Sequence, residues 1–283
     1  MTSSPSTFAA LDLAAPEFTL TPDDFDRIRD LIHRHAGISL HAGKQAMVYS
    51  RLARRLRETG HASFASYLRW LEKGGAPACE WQAFVNALTT NLTSFFREEH
   101  HFDAFAEDLR ARASRPLRIW CNAASTGEEP YSLAMVVVET LGVSAQVRLL
   151  CSDIDTGVLE KACRGVYDAD ARGLSPARLQ RHFLRGTGRN SGFVRVKPEL
   201  ARMIEFRPFN LMSPDWSALG EPFDIVFCRN VMIYFDAPTQ RRVLERMHRS
   251  LRPGGLLYAG HSENFADSPD LFRLRGKTIY ERV

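Results

Sequence analysis

The alternation of apolar and polar positions divides this chain into a helical part and a part in which strands and helices alternate. Between Thr21 and about residue 90, apolar residues recur every three or four positions, which is the period of amphipathic helices. Four helices are predicted there, beginning at Thr21, near His41, at Ser63 and at Pro77. Thr21 precedes a proline and two aspartates, a typical helix start.

Beyond about residue 91, short apolar runs alternate with amphipathic segments. This order favours an α/β domain with a parallel sheet and helices on both of its faces. Strands are predicted near 117–121, 147–152, 203–207, 223–228, 255–260 and 277–282, and helices near 127–141, 155–163 and 237–250.

Residues 166–197 interrupt this alternation. A short helix from Ser175 leads into a glycine-rich turn, and the alternating segment Phe193-Val-Arg-Val follows. We interpret this stretch as an inserted lobe of short antiparallel β-strands. The predicted organisation is a flexible N-terminus at 1–20, a small all-α domain at 21–90 and an α/β domain at 91–283 that contains the lobe.

Composition narrows the class of protein without deciding its function. The chain has 283 residues, 45% of them hydrophobic and 25% charged, which is enough for one large core and a smaller one. The first residues lack the basic and apolar regions of a signal peptide, and no apolar run approaches the roughly 20 residues that span a bilayer. We therefore expect a cytoplasmic protein.

Neither the cysteines nor the histidines are spaced as metal ligands. The five cysteines contain no C-x-x-C pair, and we expect them to be reduced core residues. His100 and His101 do not share a helix face at the spacing of two ligands, and neither do His33 and His35. The sequence therefore indicates no metal site.

The segment 117–131 carries the clearest sign of a ligand site. An apolar strand runs into Ala-Ala-Ser-Thr-Gly at 123–127 and then directly into a helix, so that a ligand can approach the backbone of the turn closely. The dinucleotide pattern G-x-G-x-x-G is absent. Glu128 and Glu129 begin the helix, where they would repel a pyrophosphate. A dinucleotide is therefore disfavoured.

An acid ends the next predicted strand. Asp153 follows the apolar run from Val147, at a position where a carboxylate can accept hydrogen bonds from both hydroxyls of a ribose. A small-residue turn and an acid without a phosphate cradle suggest adenosine attached to a cation, as in S-adenosylmethionine. The alternative is an ordinary α/β domain in which Asp153 caps the helix that follows.

Five segments resemble the signature segments of CheR-type chemotaxis receptor methyltransferases and follow the order of that family. The resemblance extends from about residue 20 to the C-terminus. It implies a Rossmann-like class I methyltransferase sheet and O-methylation of glutamate side chains on chemoreceptors, with S-adenosylmethionine as cofactor and S-adenosylhomocysteine as product. The segments are Asn91-Leu-Thr-Ser-Phe-Phe-Arg-Glu98, Ala123-Ala-Ser-Thr-Gly-Glu-Glu-Pro-Tyr-Ser132, Ser152-Asp-Ile-Asp155, Phe227-Cys-Arg-Asn-Val-Met-Ile-Tyr-Phe235 and Gly260-His-Ser-Glu-Asn-Phe265.

The resemblance also implies roles for particular residues. Glu128 would hold the amino acid portion of the cofactor, and Asp153 its ribose. Arg97 and Tyr234 match the pair proposed to act at the reacting carboxylate. The other implied cofactor contacts are Asn91, Thr93 and again Arg97 at the methionine end, Asn210 and Leu211 beside the adenine, and Arg229 and Asn230 as a second contact pair.

The implied reaction requires no catalytic base, because a glutamate side chain is already ionised at pH 7. Transfer of a sulfonium methyl group to a carboxylate cancels two charges, so that a dry site and good alignment speed the step. Arg97 would orient the carboxylate with its planar guanidinium group, and Tyr234 would donate a hydrogen bond.

Each of these residues also has an ordinary structural interpretation. Arg97 could form an ion pair at a helix start, Tyr234 could be a packing residue at a strand end, and Asn91 and Thr93 could cap a helix. The pair at 229–230 follows an apolar strand, at the sheet edge where ligands of α/β proteins bind. That position favours a functional role for the pair.

The distribution of charged residues along the chain indicates which kind of partner the protein binds. The predicted helix near 41–58 is strongly basic, although the formal net charge of the chain is only +4. This face is either solvated or docks on the acidic methylation region of a chemoreceptor, an attraction that salt would weaken. In the family, the inserted lobe is associated with a receptor's C-terminal tail peptide. The basic residues are Lys44, Arg51, Arg54, Arg55 and Arg57.

Two other functions remain compatible with the sequence. A methyltransferase acting on RNA would lay the basic helix along the phosphate backbone, but the modest net charge and the few aromatic residues among the basic ones count against it. A binding module without turnover would be expected to lose some of Arg97, Glu128, Asp153 and Tyr234. We therefore expect no nucleic-acid partner and no membrane insertion.

Overall fold

Four helices form a small N-terminal domain with its own core. The structure, a computed structural model, describes residues 17–283. Thr21 and Asp24 form a capping box at the start of the first helix, which confirms the predicted start. The helices are α1 (Pro22–Ala36), α2 (Gln45–Thr59), α3 (Phe64–Glu72) and α4 (Ala78–Leu88).

The core of this domain joins all four helices. Leu52, Tyr67 and Phe84 are fully buried in it. Phe18 and Leu20 pack against the same cluster, because both are apolar and precede α1 directly. The flexible N-terminus predicted for 1–20 therefore does not extend as far as Phe18, and residues 1–16 lie outside the described residues.

A seven-stranded sheet forms the centre of the larger domain. The strands of the protein are β1 (Leu117–Cys121), β2 (Val147–Asp153), β3 (Val166–Asp168), β4 (Phe183–Arg185), β5 (Phe193–Val196), β6 (Ile204–Pro208), β7 (Phe223–Cys228), β8 (Leu251–Ala259), β9 (Phe272–Gly276) and β10 (Ile279–Arg282). The order of the central sheet is β6-β2-β1-β7-β8-β10-β9, in which the first five strands are parallel and β10 pairs antiparallel with both β8 and β9.

Helices cover both faces of this sheet, as predicted. Successive residues of a strand point to opposite faces, so that Ile119 packs into the cluster of α5 and α6, and Trp120 into that of α10. The predicted Rossmann-like arrangement is confirmed. The remaining helices are α5 (His100–Arg112), α6 (Glu128–Leu141), α7 (Thr156–Arg164), α8 (Pro176–His182), α9 (Pro198–Ala201) and α10 (Ala237–Ser250).

Three elements were missing from the sequence-based prediction: helix α5, the four-residue helix α9 and strand β9. Helix α5 has no side-chain cap at Glu99, so that the sequence gives no start signal for it. Strand β9 is an edge strand whose middle residues, 273–275, are exposed, and it therefore lacks an apolar run. Strand β8 begins four residues before the predicted 255–260, because its pairing with β7 passes through an irregular register.

The predicted lobe at 166–197 is a three-stranded antiparallel sheet of order β3-β5-β4. The glycine-rich turn joins β4 to β5. A Cβ atom on Gly186 would lie 2.0 Å from the carbonyl oxygen of Asn190, so that only glycine fits there. The connection between β4 and β5 thus requires glycine at position 186. The side chains of Val194 and Val196 pack into the core of the larger domain.

The helical domain contacts the sheet through the loop after α1. Ile38 forms a β-bridge with Phe235, and the Ser39 N–H donates to the carbonyl oxygen of Tyr234 at 2.7 Å. His33 of α1 lies 2.8 Å from Asp236, the N-cap of α10. These contacts fix the first domain against the end of β7. No helix within residues 17–283 has the length and apolar character needed to cross a bilayer.

Candidate functional site

A cavity of about 330 Å³ lies between the helical domain and the carboxyl ends of β1, β2 and β7. This is the edge at which open α/β sheets bind ligands, and the volume is in the range of small-molecule sites, roughly 300–1,000 Å³. Its walls come from the loop after α1, the linker after α4, the turn after β1 and the segments after β2, β6 and β7.

The turn after β1 needs unusual backbone geometry. Ser125 and Gly127 have φ angles of 48° and 100°, both in the left-handed region. A Cβ atom on Gly127 would lie 2.5 Å from the hydroxyl of Tyr167, so that a larger residue cannot fit. The turn presents Ala123 and Ser125 to the cavity, and their small side chains allow a ligand to approach the backbone.

Asp153 stands at the end of β2, on the cavity wall. One carboxylate oxygen accepts from the Ser125 N–H at 2.8 Å and the other from the Asp155 N–H at 2.9 Å. Burial raises the pKa of the Asp153 carboxyl to about 6, although these backbone donors partly oppose the rise. The helix cap considered for Asp153 is supplied instead by Asp155, which accepts from two N–H groups of α7.

Arg97 lies in a strained segment of the linker. Its neighbours Phe96 and Glu98 have φ angles of 50° and 61°. The Arg97 guanidinium donates to the carbonyl oxygen of Leu92 at 2.9 Å and has no carboxylate partner among residues 17–283. The ion pair considered for Arg97 is therefore absent, and the positive charge faces the cavity. Such strain is typical of functional segments.

The Arg229 side chain is bonded to this strained segment. It is fully buried and forms ion pairs with Glu98, at 3.2 Å, and with Glu129. It also donates to the carbonyl oxygen of Arg97. Although burial opposes it, a hydrogen bond from His261 and the charge of Arg229 lower the pKa of the Glu98 carboxyl to about 2. The Arg229 side chain is thus bonded to both the Arg97 segment and the start of α6.

Asn91 and Asn210 use their side chains to connect parts of the protein. The Asn91 amide donates to Asp155 at 2.8 Å. The Asn210 amide donates to the carbonyl oxygen of His35 in α1 at 2.6 Å, and its oxygen accepts from the Met212 N–H. Both residues line the cavity, and their backbone carbonyl oxygens also accept hydrogen bonds, that of Asn91 from the Ser125 hydroxyl at 3.0 Å and that of Asn210 from the Ser213 N–H at 2.8 Å.

The segment after β7 forms the wall opposite Asp153. Asn230 begins it in a left-handed conformation, with φ of 56°. Tyr234 ends it, half-buried, with its side chain on the cavity wall and its carbonyl oxygen bonded to the helical domain. Tyr234 is therefore not simply a packing residue of the strand end.

The structure brings together nine of the ten predicted site residues. Glu128 is the exception, because the cavity is lined by Glu129 instead. The two acids start α6 and so point about 100° apart around its axis. The Glu128 carboxylate accepts from the Thr126 hydroxyl at 2.6 Å. The nine residues are Asn91, Thr93, Arg97, Asp153, Asn210, Leu211, Arg229, Asn230 and Tyr234.

The cavity wall contributed by the helical domain was not predicted. Ser39, His41, Lys44 and Met47 line the cavity from that side. Their position depends on the β-bridge between Ile38 and Phe235, which follows β7. This is a tertiary contact, and no local sequence pattern predicts it.

One grouping of potential metal ligands occurs within residues 17–283, and it consists of Glu98, His100 and His101. Glu98 is already paired with Arg229, and the Nε2–H of His101 donates to the carbonyl oxygen of Lys277. Because a guanidinium group lies 3.2 Å from the carboxylate, a cation would be repelled there. The grouping lies outside the cavity wall.

Comparison with known proteins identifies the family. Residues 91–280 match the SAM-binding domain of CheR methyltransferases, and residues 23–89 match the all-alpha domain of the same family. The chain belongs to the CheR methyltransferase family. The resemblance seen in the sequence is thereby confirmed, and this CheR protein is an S-adenosylmethionine-dependent methyltransferase.

Similar proteins extend over almost the whole chain. A chemotaxis protein methyltransferase of Klebsiella aerogenes is 53% identical over 274 residues, which are 96% of this chain and 93% of the relative. The chemotaxis protein methyltransferase of Escherichia coli is 51% identical over 263 residues, 92% of this chain and 91% of the relative. A chemotaxis protein methyltransferase of Vibrio cholerae is 34% identical over 268 residues, 92% of this chain and 91% of the relative.

The cavity of this CheR protein fits S-adenosylmethionine chemically. Asp153 offers acceptor lone pairs for a ribose, and Leu211 and Phe209 offer an apolar wall. The cations on the wall do not form a phosphate cradle, since Arg229 is neutralised by two carboxylates. A cofactor with a cationic sulfur and no phosphate suits this donor set better than a dinucleotide.

Proposed function

We propose that this protein transfers the methyl group of S-adenosylmethionine to glutamate side chains on the cytoplasmic domains of chemoreceptors, forming glutamyl methyl esters in the cytoplasm. The proposal depends mainly on the surroundings of the Arg97 side chain. Arg97 and Tyr234 both line the cavity, and the Arg97 guanidinium has no carboxylate partner among the described residues, so that it can bind an incoming carboxylate. The curated relatives are named chemotaxis protein methyltransferases.

The chain's own residues align and desolvate the acceptor. S-adenosylmethionine supplies an electrophilic methyl group, and the acceptor oxygen forms the new bond as the sulfur leaves with the electron pair of the old one. Arg97 and Tyr234 orient the carboxylate, while apolar residues such as Ile233 and Leu92 at the same wall reduce contact with water. We assign no base, since the acceptor is ionised, and no metal.

Glu128 is assigned to the amino group of the cofactor. Glu129 is already paired with Arg229, whereas Glu128 has no cationic partner within residues 17–283 and only a hydroxyl donor, Thr126. A rotation of the Glu128 side chain would bring its charge to the cavity. This assignment keeps the role that the resemblance implies.

Replacing Glu128 by glutamine should weaken binding of S-adenosylhomocysteine about tenfold, since a charge-assisted hydrogen bond contributes about 1.5–3 kcal/mol. Calorimetric titration of the purified variant measures this. Replacing Glu129 by glutamine is the matched comparison and should mainly lower thermal stability, because it leaves Arg229 partly unpaired. The assignment fails if the Glu128 variant binds as tightly as the wild type.

Binding of S-adenosylhomocysteine should depend on pH through Asp153. The ionised carboxylate accepts both ribose hydroxyl bonds, and its pKa is raised to about 6 by burial. Below that value the proton competes with the ligand, so that affinity should be about tenfold lower at pH 5 than at pH 7.5. The stability of the free protein has the opposite pH dependence. Because the pKa of Asp153 is higher in the folded protein than in the unfolded chain, the contribution of Asp153 to the free energy of unfolding increases as pH falls from about 6 towards 4.

Titration calorimetry at several pH values measures this dependence. His41 and Lys44 also line the cavity, and Asp155 lies beside Asp153. The variants Asp153→Asn and His41→Gln separate these groups, since only the first should abolish the pH dependence. An unchanged profile in Asp153→Asn would assign the effect to another group.

The lobe offers a surface for the receptor tail peptide that the family uses. Val166 and Leu184 both pair with Arg195 across the lobe sheet, and Phe193 lies two residues along from it, so that all four side chains share one face. The three apolar members are 43–50% exposed. An extended peptide could pair with an edge strand there. Binding of receptor tail peptides to the purified enzyme tests this.

The basic helix α2 supports receptor docking less strongly than its sequence indicates. Arg55 pairs with the buried Glu80, and Arg51 donates to the carbonyl oxygens at the end of α4, so that both arginines serve the domain itself. Arg54 is 76% exposed by side chain but is already paired with Glu58, and Arg57 is paired with Glu17, whereas Lys44 lines the cavity. A partner would therefore meet a smaller positive face.

A radiolabel transfer assay tests the proposed function. Enzyme, methyl-labelled S-adenosylmethionine and a receptor cytoplasmic domain should give protein-bound label that alkali releases as volatile methanol, which is the behaviour of methyl esters. Substitution of the receptor's target glutamates by alanine is the control. Label on RNA, or stable label that alkali does not release, would show another substrate class, and absence of label would show a binding module.

A further inference from the structure

A buried carboxylate stands directly behind the wall that carries Asn230 and Tyr234. Glu263 belongs to the turn after β8 and is only 4% exposed. It does not line the cavity, and within the described part of the chain no arginine, lysine or histidine forms an ion pair with it. A buried charge without a countercharge is costly unless hydrogen bonds compensate for it.

Backbone N–H groups supply that compensation. One oxygen of Glu263 accepts from Val231 at 3.0 Å and from Met232 at 2.7 Å. The other accepts from Asn230 at 2.9 Å and from Gly260. Three successive N–H groups of the segment 230–232 thus converge on one carboxylate, an arrangement known as an anion nest.

This convergence requires the left-handed backbone of Asn230. With φ of 56°, Asn230 turns the chain so that its own N–H and the next two point to the same side. A conformation of this kind is unfavourable for a residue other than glycine and persists only where its surroundings hold it. Glu263 is the group that holds it.

The fit around the nest is close. A Cβ atom on Gly260 would lie 2.9 Å from the Asn230 nitrogen and 2.5 Å from its side-chain amide. The Asn230 amide in turn donates to Glu98 at 3.3 Å, and the Glu98 carboxylate accepts from the His261 N–H at 3.1 Å. The turn 260–263 therefore contacts both the segment of Tyr234 and the segment of Arg97.

We propose that Glu263 is a positioning residue, whose carboxylate collects the N–H groups of the 230–232 turn and so holds the cavity wall in its ligand-binding shape. It acts through Asn230 and Tyr234 and touches neither cofactor nor acceptor. The inference rests on the proposed binding of S-adenosylmethionine in this cavity. It gives a role to an acid that neither the cavity nor the transfer chemistry otherwise requires.

Glu263→Gln is the test variant, since it keeps the shape of the side chain but places an amide N–H₂ against the N–H groups of the nest. We expect the Kd of S-adenosylhomocysteine to rise and kcat to fall, each about tenfold, because small displacements of binding groups reduce both. Amide hydrogen exchange at 230–232 should become faster even without a ligand.

Asp224→Asn is the matched control. Asp224 is a 1% exposed carboxylate that accepts from the Arg118 N–H at 2.8 Å, at the start of β7 and so at the end of the strand far from the cavity. The control should lower the melting temperature while leaving the Kd of S-adenosylhomocysteine unchanged. If Glu263→Gln fails to fold, Glu263→Asp, whose carboxylate is one methylene shorter, should show the same changes to a smaller degree.

The inference is overturned if a folded Glu263 variant loses thermal stability as the control does but binds S-adenosylhomocysteine with wild-type affinity and exchanges its 230–232 amides at the wild-type rate. These readouts do not need the methyl acceptor. Failure of the receptor assay with normal S-adenosylhomocysteine binding would therefore refute the proposed acceptor alone.

Discussion

Arg97→Ala is expected to lower kcat/KM for the receptor about 100-fold while weakening S-adenosylhomocysteine binding less than about tenfold. The reason is the position of its guanidinium, which lies on the cavity wall without a carboxylate partner among the described residues. A group that orients the acceptor contributes to the transition state of transfer more than to binding of the product cofactor. Steady-state kinetics and calorimetry on the same preparation measure the two effects.

Arg97→Lys is the informative companion variant. Lysine keeps the positive charge but lacks the planar pair of donors, so that it should recover only a small part of the lost activity. Full recovery would show that charge alone matters. Equal losses in cofactor binding and turnover in Arg97→Ala would show that Arg97 binds the cofactor and not the acceptor.

Arg229→Met is expected to lower the free energy of unfolding by about 3 kcal/mol, because it removes the buried cation of two carboxylates whose side chains are only 10% and 12% exposed. Glu98 and Glu129 both depend on Arg229, and the Arg97 carbonyl oxygen loses its donor. Activity should fall further than stability explains, since the strained Arg97 segment would relax. Chemical denaturation and turnover at a temperature where the variant remains folded measure both.

Arg27→Ala provides the comparison for Arg229. Arg27 and Glu72 form a two-pronged ion pair, but both side chains are 32% exposed. Solvent screens such a pair, and its loss should cost far less stability and no activity. If the two arginine variants were equally stable, Arg229 would not be the buried ion-pair partner described above.

Much of the site could be predicted because it lies at strand ends. Asp153 and the pair at 229–230 follow apolar runs, and parallel strands bring their carboxyl ends to one edge of the sheet. The small-residue turn after β1 is equally visible in sequence, since its residues leave space for a ligand. Strand ends account for Asp153, Arg229 and Asn230, whereas the other cavity residues, among them Asn91, Thr93 and Arg97 of the linker, were predicted from the family resemblance.

Tertiary relations account for what the sequence did not show. Which of Glu128 and Glu129 faces the cavity depends on the rotation of α6 against the sheet, which two adjacent identical residues cannot reveal. The wall at 39–47 depends on the bridge between Ile38 and Phe235. The position of Arg229 after an apolar strand can be recognised in the sequence. Its ion-pair partners Glu129 and Glu98, however, are 100 and 131 residues away in the chain.

The nest around Glu263 is likewise invisible in sequence. Its partners are backbone N–H groups about 30 residues earlier, and a backbone donor has no residue type by which it could be recognised. Helix α5 was missed for a local reason, the lack of a capping side chain at Glu99. Caps and side-chain patterns are readable from sequence, whereas backbone-to-side-chain contacts over long separations require the fold.

The central claim is that the cavity binds S-adenosylmethionine and its product S-adenosylhomocysteine, ligands that carry adenosine and no pyrophosphate. Calorimetric titration of the full-length protein with S-adenosylhomocysteine, and separately with a nicotinamide dinucleotide, tests it most directly. The account predicts one-site binding of S-adenosylhomocysteine that Asp153→Asn weakens, and no binding of the dinucleotide. Dinucleotide binding without uptake of S-adenosylhomocysteine would contradict it.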